Sequence, residues 1–538
     1  MTKAPLKKLV LSAIRFDTDA EPVVQRNGSR QVGSWLFDIK SIALTPEWMD
    51  AYAEYFWNAY GKRYPFQVGG VESAGTALTA AIVAKGRERG TPVNGFFIRK
   101  NRKEGGFMKR IEGLLDETPI ILVDDIVNSG ESALSQVLAL ASTGRSVDEF
   151  FSLVQFHDSS AYTFLTRHGV KLSHAFTLAD FSLSLARQAH RARDTFREAW
   201  VFQARGASMQ HTTQKSAPLL HAERLYLGVD SGEFFALSPE DGHVLWRYAT
   251  QQNASGKGIF SSPAAHGDTV VFGAYDGVVY ALSAQNGAER WAYRGADWVG
   301  SSPMIAPALN TVYIGLEFAA SPAKGGLVAL EFTGGDERWV HRMRELVHAS
   351  PLYVPETGLV YIGDNSGAIE ALDAEHGVMR WSAQVGGAVK GGFAFSKKHG
   401  LLLCGSFDGS CSAHDARTGK MVYAFPTHEP IFSTPLIYRE DIAIVGSLDK
   451  YVYAFDVKSG ARRWRVETGG RIFSTAVCVG THIFVGSNDG ILYEIEAETG
   501  RILSLQQFAE RIVNRIAFSS QDTLFVATAD NALHALTR

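Results

Sequence analysis

The sequence predicts two folded parts: an N-terminal α/β domain with a parallel sheet and, behind it, an all-β propeller of eight blades. Two observations predict this division. Up to about residue 195, long helical patterns alternate with short runs of β-branched and aromatic residues, which is typical of helices and strands in a parallel sheet. After about residue 200, short apolar runs and Asp-Gly or Asn-Gly turns recur to the C-terminus, which indicates an internal repeat.

The length and composition of the chain limit the number of domains and the classes of partner that can be expected. A chain of 538 residues is too long for one compact core, so at least two domains are expected. The 53 Lys and Arg residues nearly balance the 56 Asp and Glu residues, so neither nucleic acid nor a membrane surface is indicated as a partner. The three cysteines form no CxxC pair, which argues against a structural metal or a disulfide framework. With no membrane-spanning run and no secretory signal, we expect a cytoplasmic protein.

The repeat is marked by a glycine that follows a short apolar run at intervals of 40 to 48 residues. It stands at Gly228, Gly273, Gly315, Gly363, Gly405, Gly446 and Gly486, and Ala527 takes its place in an eighth unit. Each unit offers several short strands separated by tight turns. Such a unit cannot bury both faces of its own sheet, and radial stacking of units into a propeller solves this.

The ends of the chain predict eight blades and their closure. The eighth unit stops before its outer strand, and the missing strand stands ahead of the first unit at 199–203. The outer-strand position is then occupied by Trp200, Trp246, Trp291, Trp339, Trp381, Tyr423, Trp464 and Leu503. We therefore predict an α/β domain over 1–185, a linking helix over 186–198 and a propeller over 199–538 that is closed by strand 199–205.

One segment of the α/β part carries chemistry. Residues 120–123 read as a buried parallel strand that ends in Asp124 and Asp125, and a loop leads into a helical run over 133–141. Backbone N–H groups of such a loop and of the following helix N-terminus attract a phosphate. The two carboxylates can accept hydrogen bonds from ribose hydroxyls or contact Mg²⁺ directly or through water. The alternative is an ordinary helix start beside a solvated acidic pair.

The whole string resembles the phosphoribosyl-diphosphate motif of the type I phosphoribosyltransferases. This resemblance implies that the loop holds the phosphate through five residues: Asn128, Ser129, Gly130, Glu131 and Ser132. Over roughly residues 30–185 the chain is similar to one branch of that family, the orotate phosphoribosyltransferases, which implies their fold of a parallel sheet with helices on both faces.

Three further segments extend the resemblance. Residues 68–75 look like the family's first diphosphate-binding loop, which implies phosphate contacts from Glu72, Ser73, Ala74 and Gly75. Residues 34–40 are similar to the hood segment near the base, which implies base contacts from Phe37 and Lys40. Residues 99–106 resemble the mobile catalytic loop.

The resemblance implies a reaction. A nitrogen base attacks C1 of phosphoribosyl diphosphate, Mg-diphosphate leaves, and a nucleoside monophosphate forms. Arg99, Lys100 and Lys103 would neutralise the leaving diphosphate beside the acid pair of Asp124 and Asp125, and such electrostatic stabilisation is usually the largest catalytic effect. Taken alone, the basic run could also be a solvated loop. A homodimer is implied, because in this family the mobile loop reaches into the neighbouring subunit.

Departures from the family pattern bear on the substrate. The loop histidine is replaced by Gly105 and its glutamate by Asn101, and no arginine stands near Ser159, where the family reads the orotate carboxylate. A base bearing a carboxylate would lack its bidentate partner. We therefore expect a base other than orotate. The alternative is a module that senses phosphoribosyl diphosphate or a nucleotide with little turnover, in a stress or anti-phage response.

The C-terminal repeats resemble the pyrroloquinoline-quinone type over roughly 200–538. The matching pattern in each unit is Gly-x-x-Asp-Gly, then Ala-Leu-Asp, then Thr-Gly, then Trp. The quinone-dependent dehydrogenases of this family are secreted and usually carry adjacent cysteines, and this chain has neither feature. We therefore expect no quinone cofactor and a propeller that recruits a partner or regulates the enzyme, with a quinone-dependent oxidoreductase as the alternative.

Overall fold

The structure is a computed structural model that describes residues 3–16, 35–71, 74–99, 111–128, 130–157, 162–181, 192–193, 196–204, 216–251, 258–319, 323–519 and 523–538. The chain separates into two compact units, Met1–His190 and Arg191–Arg538. The first is an α/β unit and the second a β-propeller, as the sequence predicts.

The helices and strands of the first unit follow the predicted alternation. In chain order they are α1 Ala4–Ser12, β1 Ile14–Phe16, β2 Trp35–Phe37, α2 Pro46–Tyr60, β3 Gln67–Val71, α3 Ala74–Glu88, β4 Gly95–Ile98, β5 Ile111–Gly113, β6 Ile120–Val127, α4 Glu131–Ala141, β7 Glu149–Gln155, α5 Thr163–Arg167 and β8 Lys171–Thr177. Short 3-10 turns stand at Ile39–Ser41, Gly61–Arg63 and Leu178–Phe181.

The central sheet has the order β5-β4-β3-β6-β7-β8. All its neighbouring strands are parallel except β4 and β5, which pair antiparallel at one edge. Strands β1 and β2 form a separate antiparallel pair.

Both faces of the central sheet are buried. Ile121 and Val123 pack with α1, α2 and α3 on one face, while Ile120 and Leu122 pack with α4 and α5 on the other. This two-sided burial accounts for the unbroken apolar run that opens β6.

The propeller consists of eight four-stranded antiparallel blades. Blade 1 contains β11 Leu219–His221, β12 Arg224–Gly228, β13 Glu233–Leu237 and β14 Val244–Ala249, and blade 2 contains β15 Ala264–His266, β16 Thr269–Gly273, β17 Val278–Ser283 and β18 Glu289–Arg294. Blade 3 contains β19 Met304–Ala306, β20 Thr311–Glu317, β21 Gly325–Glu331 and β22 Glu337–Met343, and blade 4 contains β23 Leu352–Val354, β24 Leu359–Gly363, β25 Ala368–Asp373 and β26 Met379–Gln384. A 3-10 turn, Pro307–Leu309, joins the first two strands of blade 3.

Blades 5 to 7 repeat this arrangement. Blade 5 contains β27 Phe393–Ser396, β28 Leu401–Gly405, β29 Ser410–Asp415 and β30 Met421–Pro426. Blade 6 contains β31 Leu436–Tyr438, β32 Ile442–Gly446, β33 Tyr451–Asp456 and β34 Arg462–Glu467. Blade 7 contains β35 Val477–Val479, β36 His482–Gly486, β37 Ile491–Glu496 and β38 Ile502–Gln507.

Blade 8 combines the two ends of the propeller segment. Its inner three strands are β39 Ala517–Phe518, β40 Leu524–Ala527 and β41 Ala532–Thr537, and its outer strand is β10 Arg197–Gln203, which pairs antiparallel with β41. The unit is therefore closed by a strand from its own start, which removes the open edges that a linear array of blades would leave.

The end of the predicted linking helix is extended rather than helical. Residues 186–191 lie outside the described part of the chain, but β9, Ala192–Arg193, pairs parallel with β38 of blade 7, and residues 197–198 already belong to β10. Edge pairing with two blades satisfies these backbone groups, which a free linking helix would bond internally.

Successive blades are joined by an aromatic residue of one blade and a glycine of the next. Six outer-strand tryptophans donate from Nε1 to a carbonyl of the following blade at 2.9–3.3 Å; they are Trp200, Trp246, Trp291, Trp339, Trp381 and Trp464. The Tyr423 hydroxyl makes the same bond to Val457 at 2.6 Å. Each ring lies on a glycine in the turn before the next blade's outer strand; for example, a Cβ on Gly419 would lie 2.5 Å from Trp381 Cε3.

The outer strand of blade 7 has Leu503 where the other outer strands have an aromatic residue, and this follows from the closure. The aromatic residues stack on a turn that joins the third and fourth strands of the next blade. In blade 8 the third strand, β41, ends the chain, and the fourth, β10, comes from the other end of the propeller segment. That turn does not exist in blade 8, so the outer strand of blade 7 has no glycine to receive an aromatic ring.

We predict that Gly419→Ala destabilises the propeller more than Gly358→Ala does. Both glycines have a left-handed φ, of +74° and +70°, but a Cβ on Gly358 meets nothing within 4 Å. The control should therefore cost about 1 kcal/mol for the backbone conformation alone, and Gly419→Ala about 1–2 kcal/mol more for displacing the Trp381 ring. Urea unfolding followed by tryptophan fluorescence measures both, and equal losses would contradict the docking role of the ring.

Candidate functional site

Two strands of the central sheet lead into helices at the same edge. Strands β3 and β6 are parallel neighbours, with Gly70 opposite Val123, and each is followed directly by a helix, α3 or α4. The chain turns outward in opposite directions from this pair, since β3 connects to β4 and β6 connects to β7. In open α/β sheets ligands bind at such a switch point, beyond the carboxyl ends of the strands.

Close backbone packing fixes the first of these helices against the sheet. A Cβ on Gly70 would lie 2.7 Å from Gly75 Cα and 2.8 Å from the carbonyl oxygen of Val123. A Cβ on Gly75 would lie 2.8 Å from Gly70 Cα. Only glycine fits at either position, so the first turn of α3 lies directly on the backbones of β3 and β6. Its exposed N–H groups are thereby held beside the end of β6.

The acid pair lies within β6 and not after its end. The strand continues to Val127, which pairs with Gln155 of β7, so the sequence placed the end of the strand too early. Asp124 is buried and Asp125 is half-buried. Each carboxylate accepts the next backbone N–H: Asp125 N lies 2.9 Å from Asp124 Oδ1, and Ile126 N lies 2.9 Å from Asp125 Oδ1.

The charges of the acid pair act on Tyr52 of α2. It is fully buried, stacks on Trp48 at 5.3 Å, and its hydroxyl has no hydrogen-bond partner among the described residues. Burial raises the pKa of Tyr52 well above its ordinary value, and the charges of Tyr60, Asp124 and Asp125 raise it further. Tyr52 therefore stays a neutral phenol beside the acid pair.

The loop between β6 and α4 is held by residues that the sequence did not single out. The Tyr162 hydroxyl lies 3.0 Å from the carbonyl oxygen of Val127 and 2.8 Å from that of Asn128. The Asn128 side-chain oxygen lies 3.2 Å from His157 Nε2. Gly130 is the N-cap of α4 with φ +79°, a left-handed conformation that glycine adopts without strain. No motif spacing marks Tyr162, because it comes from a different segment of the chain.

The described loop residues fit an oxyanion. Ser132 is exposed in the first turn of α4, where its backbone N–H and hydroxyl can both donate. The helix macrodipole adds favourable potential for a negative charge at this end. Asn128, Gly130, Ser132 and Gly75 thus lie at one edge of the sheet, together with the acid pair.

Other predicted residues lie in further elements of the first unit or outside the described residues. Arg99 follows β4 and forms an ion pair with Glu112 of β5 at 3.0 Å. Phe37 is buried, with its ring 5.7 Å from Phe156 and 5.5 Å from Phe181, so it belongs to the core of the unit. Lys40, Ala74 and Glu131 lie in described elements, but their side chains are not described. Glu72, Ser73, Lys100, Asn101, Lys103, Gly105, Ser129 and Ser159 lie outside the described residues.

These features define the class of protein: a phosphoribosyltransferase-like α/β unit in one chain with a β-propeller of BamB-like repeats. Comparison with known proteins gives the families. The chain is 30% identical over 169 residues to orotate phosphoribosyltransferase from Bradyrhizobium sp. (strain BTAi1 / ATCC BAA-1182), a match that covers 30% of this chain and 91% of the relative. A family model described as outer membrane protein assembly factor BamB matches residues 189–291, 251–394, 365–472 and 448–538.

Solved structures support the propeller fold. BamB from Moraxella catarrhalis is 21% identical with a TM-score of 0.50, over 64% of this chain and 98% of that one. Quinohemoprotein alcohol dehydrogenase from Comamonas testosteroni is 15% identical with a TM-score of 0.54, over 67% and 79%. At these identities the likeness concerns the fold alone. The chain belongs to the orotate phosphoribosyltransferase family in its first unit and to the BamB-type repeat family in its second.

Within the described ranges, every helix is too short or too polar to cross a membrane.

We predict that Tyr162→Phe destabilises the first unit by about 1–2 kcal/mol, because two carbonyl groups at the end of β6 lose a buried donor. Tyr55→Phe is the matched control, since the Tyr55 hydroxyl makes no hydrogen bond to any residue that the structure describes and should change stability by less than about 0.5 kcal/mol. Urea unfolding followed by far-UV circular dichroism measures both. Equal stability of the two variants would contradict the anchoring role of Tyr162.

Proposed function

We propose that the first unit binds phosphoribosyl diphosphate with Mg²⁺ and transfers phosphoribose to, or from, a nitrogen base. The observation that carries this proposal is the juxtaposition of the acid pair with two helix N-termini at the switch point of the sheet. The 5-phosphate would lie on the amides of 128–132, and the ribose hydroxyls would donate to Asp124 and Asp125. Homology to orotate phosphoribosyltransferases supports the same assignment.

The donor set fits Mg²⁺ bound together with the substrate. Among the described residues no group of three or more His, Cys, Asp or Glu side chains could hold a metal by itself. Mg²⁺ is commonly held by one or two carboxylates and completed by substrate phosphates, and Asp124 and Asp125 provide that minimum. When bound, Mg²⁺ would offset the charge that develops on the leaving diphosphate.

The leaving diphosphate is an anion that cationic residues would stabilise. Arg99 is the last described residue before the segment that contains Lys100 and Lys103. Its ion pair with Glu112 of β5 holds it at the end of β4. We assign these three residues to the stabilisation of the diphosphate, in a homodimer in which the segment serves the partner's site. The propeller would recruit or regulate through a protein partner.

The base is proposed to lack a carboxylate. No arginine occupies 157–160, where the family reads orotate, and His157 is directed instead to Asn128 of the loop, with its Nε2 3.2 Å away. A carboxylate at that place would find no bidentate guanidinium.

A test of activity uses the full chain with Mg²⁺, phosphoribosyl diphosphate and a panel of purine and pyrimidine bases. We expect diphosphate release with a base that has no carboxylate, at a kcat/KM well above that for orotate. Orotate as the best substrate would overturn the proposed specificity, and no release with any base would overturn the transferase.

A second candidate is a sensor that binds phosphoribosyl diphosphate or a nucleotide without turnover. The replacement of the family's loop histidine by Gly105 favours it, because a diphosphate contact is lost. Calorimetric binding of phosphoribosyl diphosphate without diphosphate release would select the sensor, and rapid turnover of any base would exclude it.

We predict that Asp125→Asn lowers kcat/KM for phosphoribosyl diphosphate by about 10- to 100-fold, because hydrogen bonds to a charged acceptor contribute about 1.5–3 kcal/mol. Asp50→Asn is the matched control; that carboxylate is exposed on α2, where it pairs with Lys85 at 2.6 Å, and activity should be unchanged. Steady-state assays of diphosphate release measure both. An Asp125→Asn enzyme with full activity would contradict the role of the acid pair.

A further inference from the structure

The axis of the propeller is lined by one position of the repeat. The first strands of neighbouring blades contact one another, including β11 with β39 across the closure, so these strands surround the axis. The residue shortly before each first strand lies in the same ring. Its eight occupants are Ala217, Ser262, Ser302, Ser350, Gly392, Thr434, Thr475 and Arg515.

Backbone-to-hydroxyl bonds connect this ring from blade to blade. The amides of Ala217, Ser262 and Ser302 each donate to the hydroxyl of the next member, at 3.0, 2.9 and 3.3 Å. The amides of Gly392 and Thr434 do the same at 2.8 and 3.1 Å. In every case the hydroxyl oxygen is the acceptor, so its own proton remains to be donated.

The five hydroxyls share a second property. None of them donates to another group within the described part of the chain, and all five residues are half-buried. Each hydroxyl can therefore still donate a hydrogen bond to an acceptor at the axis. The hydroxyl-bearing members are Ser262, Ser302, Ser350, Thr434 and Thr475.

Arg515 is the one charged member of this described ring. Its side chain is solvent-accessible, but it has no hydrogen bond and no ion pair with any described residue. Neighbouring protein atoms lower the pKa of this guanidinium by partial desolvation, although the residue as a whole is exposed. An exposed guanidinium without a partner among the described residues, set in a ring of otherwise neutral small residues, keeps its N–H donors available to an external anion.

We propose that the propeller channel binds a small oxyanion, a phosphoryl- or carboxylate-bearing molecule, on the Arg515 guanidinium within the ring of five hydroxyls. A guanidinium matches two oxygens of such a group through parallel N–H···O bonds. The hydroxyls supply neutral donors around it, and the ring contains no acidic residue that would repel the anion. This site lies in the second unit and does not depend on the function proposed for the first.

The test is calorimetric titration of the full chain with inorganic diphosphate. Because the first unit is proposed to bind the same probe at its loop, a second background carries Ser132→Glu, which places a carboxylate in the first turn of α4 and repels an anion there. We expect Arg515→Gln to remove one bound diphosphate per chain, or to weaken it by about tenfold or more, in both backgrounds. Loss of binding through Ser132→Glu alone would instead report on the first unit.

Two further variants complete the design. Arg515→Lys keeps the charge but loses the planar fork, and should bind with intermediate affinity. Arg247→Gln removes one positive charge from an outer strand and should leave binding unchanged. Since Arg515 bonds to no described residue, Arg515→Gln should unfold at the same temperature as the wild type. Unchanged number and affinity of diphosphate sites in folded Arg515→Gln, in both backgrounds, would overturn the proposal.

Discussion

The candidate site depends on one steric constraint, the contact of two backbones at Gly70 and Gly75. With no side chain at either position, the first turn of α3 lies on β3 and within reach of the Val123 carbonyl. Any Cβ at these positions would push the helix away from the sheet. The contact therefore sets the N-terminus of α3 beside the carboxyl end of β6, where the acid pair and the start of α4 already stand. In the function that we propose, the attraction for anions would arise from this geometry more than from any one side chain.

The propeller is organised by a second local rule, repeated around the ring. On seven of the eight outer strands an aromatic residue rests on a glycine turn of the following blade and bonds to its carbonyl, which fixes both the spacing and the direction of stacking. Where the ring is closed by β10, the turn is missing, and Leu503 replaces the aromatic residue. The substitution at one blade is thus a consequence of closure. The inner ring carries another departure, Arg515, which the same packing rules leave unexplained and which an axial anion would explain.

Much of this architecture could be predicted from the sequence because its signals are periodic. The eight outer-strand positions, the N-terminal closing strand and the alternation of helices and strands all follow from regular spacing. The exact end of β6 did not, because pairing of Val127 with β7 carries the strand past two residues with low strand propensity. Resemblance predicts a base contact for Phe37, and the neighbours of its ring, Phe156 and Phe181, follow from packing that the sequence does not reveal. Tyr162 and Arg515 were not identified, since their roles depend on neighbours distant in the chain.

The most direct measurement of the central claim is a crystal structure of the full chain with phosphoribosyl diphosphate and Mg²⁺. The account predicts the 5-phosphate on the backbone amides of 128–132, the ribose hydroxyls within hydrogen-bond distance of Asp124 and Asp125, and the diphosphate beside the start of α3. A ligand bound elsewhere, with that loop filled by protein atoms, would contradict it.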